Sequence, residues 1–156
     1  MSLTFELVTP ERVVFSQEID QVTLPTRQGE ITILPNHIPL VAALIPGVAH
    51  LKKGQSEEDV AVSGGFIEIS ADNHVRVLAD TAERGIELDL SIIEEAKARA
   101  EKVMQETVRT DDESFAAAAI ALERELARYK VAIKHRGSKK VPIIDQAIKK
   151  HETRST

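Results

Sequence analysis

The chain has 156 residues, 42% of them hydrophobic, which suffices for one ordinary domain or two small ones with real cores. Aromatic content is only 3% with no Trp, so the core must be Val, Ile, Leu and Ala; the absence of Cys excludes disulfides, thiolate metal sites and Cys nucleophiles. The net charge of −5 is unevenly spread: acids outnumber Lys/Arg up to Leu88, whereas from Arg124 onward only Glu125, Asp145 and Glu152 oppose ten Lys/Arg. An acidic front and a basic end suggest two modules with different partners. No aromatic pattern of an RNA-binding kind accompanies the basic end, which argues against nucleic acid. Residues 1–17 alternate apolar and polar without an apolar h-region, so no secretory signal is expected there. The longest apolar run, Leu40 to Pro46, is far too short for a membrane-spanning helix, and any membrane association is expected to be indirect.

Leu3, Phe5 and Leu7 alternate with Thr4, Glu6 and Val8, the period of a half-buried strand. Pro10-Glu11 turns the chain, and Arg12 to Leu24 continues extended, with Val13, Phe15, Ile19, Val22 and Leu24 expected inward. The next stretch, GEITILPNHIPLVAALIPG from Gly29 to Gly47, reads as strand, rigid turn, strand, turn. Pro35 and Pro39 fix φ and remove backbone donors, so the segment from Leu34 to Pro39 cannot sit inside a ladder. Asn36 between them is a turn residue whose side chain can bond nearby backbone. Val48 to Leu51, Asp59 to Ser63, Phe66 to Ile69 and His74 to Ala79 supply further extended runs. They are separated by the polar break at Lys52–Ser56, a bend or bulge at Gly64-Gly65 and a hairpin turn at Asp72-Asn73. Eight to ten short strands at this spacing predict an antiparallel β-sandwich.

After Gly85 the period changes. Ser91 with Glu94 forms a capping box that predicts a helix start, and Ile93, Ala96, Ala100, Val103 and Thr107 form its seam. Thr110 with Glu113 predicts a second start, followed by a seam of Phe115, Ala119, Leu122, Leu126, Tyr129 and Ile133. Two helices joined by a short break predict an antiparallel αα-hairpin. Its seam is thin, so the hairpin is marginal by itself and separable from the sandwich. The expected organisation is therefore a β-sandwich at 1–88, a two-helix hairpin at 89–136 and a basic tail at 137–156. In the tail, Pro142 with Ile143, Ile144, Ala147 and Ile148 can open a short third helix.

No chemistry assembles from the residue types. His37, His50, His74, His135 and His151 show no metal-ligand spacing, and no carboxylate pair sits in an apolar setting suited to acid–base work. There is no phosphate-cradling loop: Gly64-Gly65 has no helix after it. Neither a catalytic residue nor a metal site is predicted, and the chain reads as an interaction protein. The alternative is a β-sandwich ligand-binding module with a helical oligomerisation arm.

Three ordered blocks carry a resemblance. Gly29, Glu30, Ile31, Ile33, Pro35, His37, Pro39, Leu40, Ala43, Leu44, Pro46 and Gly47 match a G-E-(I/L)-x-I-x-P-x-H-x-P-L-x-x-A-(L/I)-x-P-G run. VSGGFIEI (Val62 to Ile69) and VRVLADTAER (Val75 to Arg84) match two more. With the hairpin, the chain resembles the epsilon subunit of F-type ATP synthases over residues 3–136. That resemblance implies a non-catalytic rotor subunit of the central stalk. Its partners would be the gamma subunit and the c-ring, with transient contact to alpha and beta, and its hairpin would inhibit ATP hydrolysis. It would be peripheral at the cytoplasmic face of a bacterial inner membrane, in membrane contact only through the Fo rotor. Glu30, His37 and Pro39 would lie near gamma and the c-ring, and Arg124, Arg128, Lys130, Lys134 and Arg136 would form an inhibitory basic face. Some relatives bind ATP through an (I/L)-D-x-x-R-A motif and two arginines four apart. Leu88, Asp89, Arg124 and Arg128 match parts of that set, but Ile92-Ile93 stand where Arg-Ala is expected. No cofactor is implied beyond ATP bound weakly or not at all.

Overall fold

The computed structural model describes residues 1–107, 112–137 and Ile143. The alternating front half forms ten strands: β1 (Leu3–Val8), β2 (Val13–Ile19), β3 (Gln21–Thr26), β4 (Gly29–Ile33), β5 (Leu40–Leu44), β6 (Gly47–Lys53), β7 (Ser56–Val62), β8 (Gly65–Ile69), β9 (His74–Ala79) and β10 (Ala82–Arg84). They hydrogen-bond in the order β10-β7-β6-β3-β5-β8-β9-β1-β2, with β4 on β3. All these pairs are antiparallel except β1 with β9. The ladder between β3 and β5 consists of one pair, Thr26 with Leu44. There the sheet folds over into two layers, a near-closed sandwich.

Strand alternation fills the space between the layers. Twenty-one buried residues form one apolar cluster that includes Leu3, Phe5, Leu7, Phe15, Ile19, Leu24, Ile33, Leu51, Ile67, Val75 and Val77. Phe5 and Phe15 meet with tilted rings 5.8 Å apart. One inward assignment is corrected: Val13 points outward and Val14 is buried. The register between β1 and β2 slips here, with Leu7 opposite Phe15 but Val8 opposite Val13, so Val14 is an extra residue and two neighbours turn inward together.

Gly65 is required by packing. It lies opposite Ala79, and a Cβ there would fall 1.8 Å from the Leu78 carbonyl oxygen. At Gly64 the nearest atom to such a Cβ is 3.6 Å away, an ordinary contact.

The helical segments also differ from expectation in detail. After a 3₁₀ turn at Gly85–Glu87 come α1 (Leu90–Glu106) and α2 (Asp112–Gly137). The α1 cap is Asp89 rather than Ser91: its carboxylate accepts from the Ser91 backbone N–H at 2.9 Å and from the Ser91 hydroxyl at 2.8 Å. Val103, Phe115 and Ile133 are exposed instead of lining the seam, while Met104 is half-buried. The ammonium of Lys97 covers the Tyr129 ring at 4.7 Å and closes the α1–α2 contact. Thr110 and the expected third helix lie outside the described residues, apart from Ile143. That residue is 1% exposed and belongs to the sandwich core cluster.

Three substitutions test these contacts by urea denaturation. Gly65→Ala should cost about 3 kcal/mol or more, while Gly64→Ala should stay within about 1 kcal/mol. Ile143→Ala should cost about 2–4 kcal/mol, as for a core residue, where a solvated position would cost almost nothing.

Candidate functional site, a docked hairpin and a bare sheet face

The two outer faces of the sandwich differ. On the β6–β7 side, α2 lies across the strands and touches the 3₁₀ turn. Its apolar contact is small: Ala127 and Val131 of α2 pack on Ala61 of β7, flanked by Val48 and Leu88. Beyond them, a Cβ at Gly85 would fall 2.8 Å from the side chain of His135, so a side chain there would push α2 away.

Charge supplements this contact. Arg128 donates from Nη2 to Glu83 of β10 at 2.5 Å and from Nη1 to Glu125 at 2.7 Å. Glu125 is only 6% exposed, and Arg124 stands 3.6 Å from the same carboxylate. Lys134 reaches Asp59 of β7 at 2.7 Å, and the other oxygen of Asp59 bonds Nδ1 of His50 on β6, also at 2.7 Å. Burial pushes the Asp59 carboxyl up, but the bonds from His50 and Lys134 together outweigh it and hold its pKa below the usual value. The hydrogen bond to Asp59 raises the His50 pKa against the opposing effect of burial.

The expected basic face therefore divides. Arg128 and Lys134 are bonded to the sandwich and Arg124 leans on Glu125, whereas Lys130 and Arg136 are exposed. The four positions matched to an ATP motif are likewise occupied: Leu88 packs beneath α2, Asp89 caps α1, and Arg124 and Arg128 hold acids.

On the opposite side, no described element covers the outer face of β5-β8-β9-β1-β2. Register aligns Ala43, Phe66, Leu78, Val8 and Val13 in one row across the five strands. At roughly 4.8 Å per strand the row is about 19 Å long. Phe66, Leu78 and Val13 are 63%, 49% and 57% exposed. The next row is Val41, Glu68, Arg76, Glu6 and Ser16, in which Arg76 bonds Glu6 at 3.0 Å. This surface was not anticipated, although an apolar residue at the outward position of β8 and β9, whose inward positions are already apolar, is a legible signal.

The rigid turn follows β4. Asn36 has φ 65°, and its backbone N–H donates to the Asn73 side chain at 2.6 Å, so the turn is tied to the β8–β9 connection as well as stiffened by its prolines. His37 bonds the Ile38 carbonyl through Nδ1 at 2.7 Å, and Leu34, Ile38 and Pro39 are exposed. Glu30, near the start of β4, instead borders the groove beneath α2 with Pro46, Gly47 and His50. The three residues expected at one interface thus belong to two neighbourhoods.

Fold and site define a sandwich-and-hairpin protein with one face held by its own helix. The model of the ATP synthase delta/epsilon chain β-sandwich domain matches residues 2–85. An ATP synthase epsilon chain of Herpetosiphon aurantiacus is 44% identical over 132 residues, covering 85% of this chain and 95% of that protein. One from Dichelobacter nodosus is 49% identical over 108 residues, covering 67% and 75%. A chain in the Euglena gracilis mitochondrial ATP synthase structure (OSCP/F1/c-ring, rotational state 1) shares the fold with a TM-score of 0.69 at 22% identity, covering 81% of this chain and 78% of that one. The chain belongs to the ATP synthase epsilon-chain family. Among the described residues, no helix is long and apolar enough to cross a membrane.

Replacing Arg128 with Met should weaken hairpin docking by about 1–3 kcal/mol, because Glu83 loses its cation and Glu125 keeps only Arg124. Hydrogen exchange should then accelerate in α1 and α2 with the sandwich strands unchanged.

Proposed function

We propose that this chain is a non-catalytic rotor subunit of the central stalk, joining gamma to the c-ring and braking ATP hydrolysis through its hairpin. It would work at the cytoplasmic face of a bacterial inner membrane, touching the membrane only through the Fo rotor. The observation that carries the reading is the uncovered apolar row at Ala43, Phe66, Leu78, Val8 and Val13, on the face opposite the hairpin. An apolar patch of this kind, flanked by a charged row, suits permanent burial against another chain. Gamma is the occupant we assign to it. The turn with His37 and Pro39, stiff and tipped by Leu34 and Ile38, suits contact with the c-ring at the end of the sandwich.

In this reading the hairpin leaves the sandwich to reach alpha and beta, and its five basic residues pair with acidic segments there. The small apolar contact beneath α2 opposes undocking far less than the sandwich core opposes unfolding, and the further apolar tie is Ile143, six residues past α2, whose side chain would have to leave the core for the hairpin to travel far. ATP, if bound by the isolated chain, is bound weakly: Ile92-Ile93 replace the expected Arg-Ala, and a nucleotide phosphate would have to displace Glu83 and Glu125 from Arg128.

Reconstitution with an α3β3γ complex tests this directly. Full-length chain should suppress ATP hydrolysis, and a truncation ending at Leu88, which gives up the Ile143 core contact along with the hairpin, should still bind without suppressing. Phe66→Glu should weaken gamma binding at least about tenfold while leaving the fold intact. Neutralising Lys130 and Arg136, which docking does not use, should relieve inhibition without loss of binding; unchanged inhibition would remove the basic-face mechanism.

A further inference from the structure

We propose that Asp59 is an acid-responsive latch for the hairpin, shared between His50 of the sandwich and Lys134 of α2, and that proton uptake by His50 favours release of α2. The inference rests on the reading that the hairpin can leave the sandwich.

The geometry is specific. His50 and Asp59 are register partners on β6 and β7, on the outer face that α2 covers. One oxygen of Asp59 takes His50 and the other takes Lys134, both at 2.7 Å, and the Asp59 side chain is only 10% exposed. One buried carboxylate therefore neutralises two groups, one permanently on the sandwich and one that departs with the helix. With His50 neutral, Lys134 is the sole cation bonded to Asp59. With His50 protonated, the carboxylate carries a fixed cation already, and Lys134 adds a second positive charge beside it.

The charges around His50 set the sign of the coupling. Glu30 of β4 favours the protonated imidazole, but it stays on the sandwich whether α2 is docked or not. Lys52 and Glu57, two residues further along β6 and β7, also stay. From α2, Lys134, Lys130 and Glu123 border the same groove. Undocking thus removes two cations and one anion, a net positive charge, and Lys134 in particular disfavours protonation of His50. Burial of the imidazole disfavours it too, so exposure on undocking acts in the same direction. By reciprocity, whatever undocking does for the proton, the proton does for undocking.

Two opposite pH responses follow. The folded-state pKa of His50 is raised above the unfolded value, so its pairing with Asp59 contributes stability to the sandwich below that range and is lost as pH rises through the folded value. Hairpin docking runs the other way and weakens as pH falls through the same range. Acid thus tightens the sandwich while loosening the arm.

The chain has no cysteine, so a single pair can be introduced for spin labels at two exposed positions, Gln55→Cys on the β6–β7 turn and Ala117→Cys on α2. Distance distributions of the full chain should show the docked-to-released ratio falling about two- to fivefold between about pH 8 and pH 6, a size set by partial solvent screening of the pair. His50→Gln should abolish that dependence. In parallel, the His50 resonance should titrate at higher pH in Lys134→Met than in the parent. An unchanged or lowered His50 titration in Lys134→Met would overturn the coupling, and an undiminished pH response in His50→Gln would overturn the latch. Neither result touches the family reading, which gamma binding tests separately.

Discussion

The arrangement of this molecule depends on how little holds α2 to the sandwich. Ala61, Ala127 and Val131, with Val48 and Leu88 at the margin, make up the apolar contact, and two of the three central residues are Ala. At about 25 cal/mol per Å², alanines on a flat sheet contribute little compared with a core of Phe, Leu and Ile. The docked position is therefore set to an unusual degree by side chains that can exchange partners, chiefly Arg128 and Lys134. A larger apolar face would hold the helix harder, but it could not be surrendered at modest cost.

The sandwich is built on the opposite principle. Its two layers share a contiguous core, its edge carries an orderly bulge at Val14, and the turn after β4 is fixed by two prolines and a bond to Asn73. A buried ion pair between Arg84 and Glu58 joins β10 to β7, and Arg12 bonds Glu87 at 2.5 Å across to the 3₁₀ turn. The Glu87 carboxyl is held below its usual range, first by that bond from Arg12. The stiffness that the proposed rotor role would require comes here from backbone geometry and core volume, with charge only closing the end.

Much of this was legible in the residues. Period-2 alternation located nearly every strand, and the turn chemistry of Pro35, Asn36, Pro39 and Asn73 located the loops. What escaped had physical reasons. A bulge reverses alternation without leaving a mark in composition, which is why Val13 and Val14 exchanged roles. The Ser91–Glu94 spacing fits a capping box, but Asp89 sits two residues earlier with a carboxylate already aimed at the Ser91 amide. Helical period gives a seam for one neighbour, whereas α2 has two, α1 and the sheet, so Ala127 and Val131 fall outside it. The row through Phe66 and Leu78 exists only in register and cannot be seen along any single strand.

Docking and braking, as proposed, make competing claims on the same cations. Arg128 cannot hold Glu83 and Glu125 while reaching an acidic segment of another subunit, and Lys134 cannot leave without giving up its bond to Asp59. His50 eases that second loss when it is charged, because Asp59 then keeps a cation after the helix has gone. On the proposed reading, the acids of the sandwich would act as placeholders for those of the catalytic head. Such an exchange would stay close to balance, because each salt bridge given up would be replaced by one of the same kind.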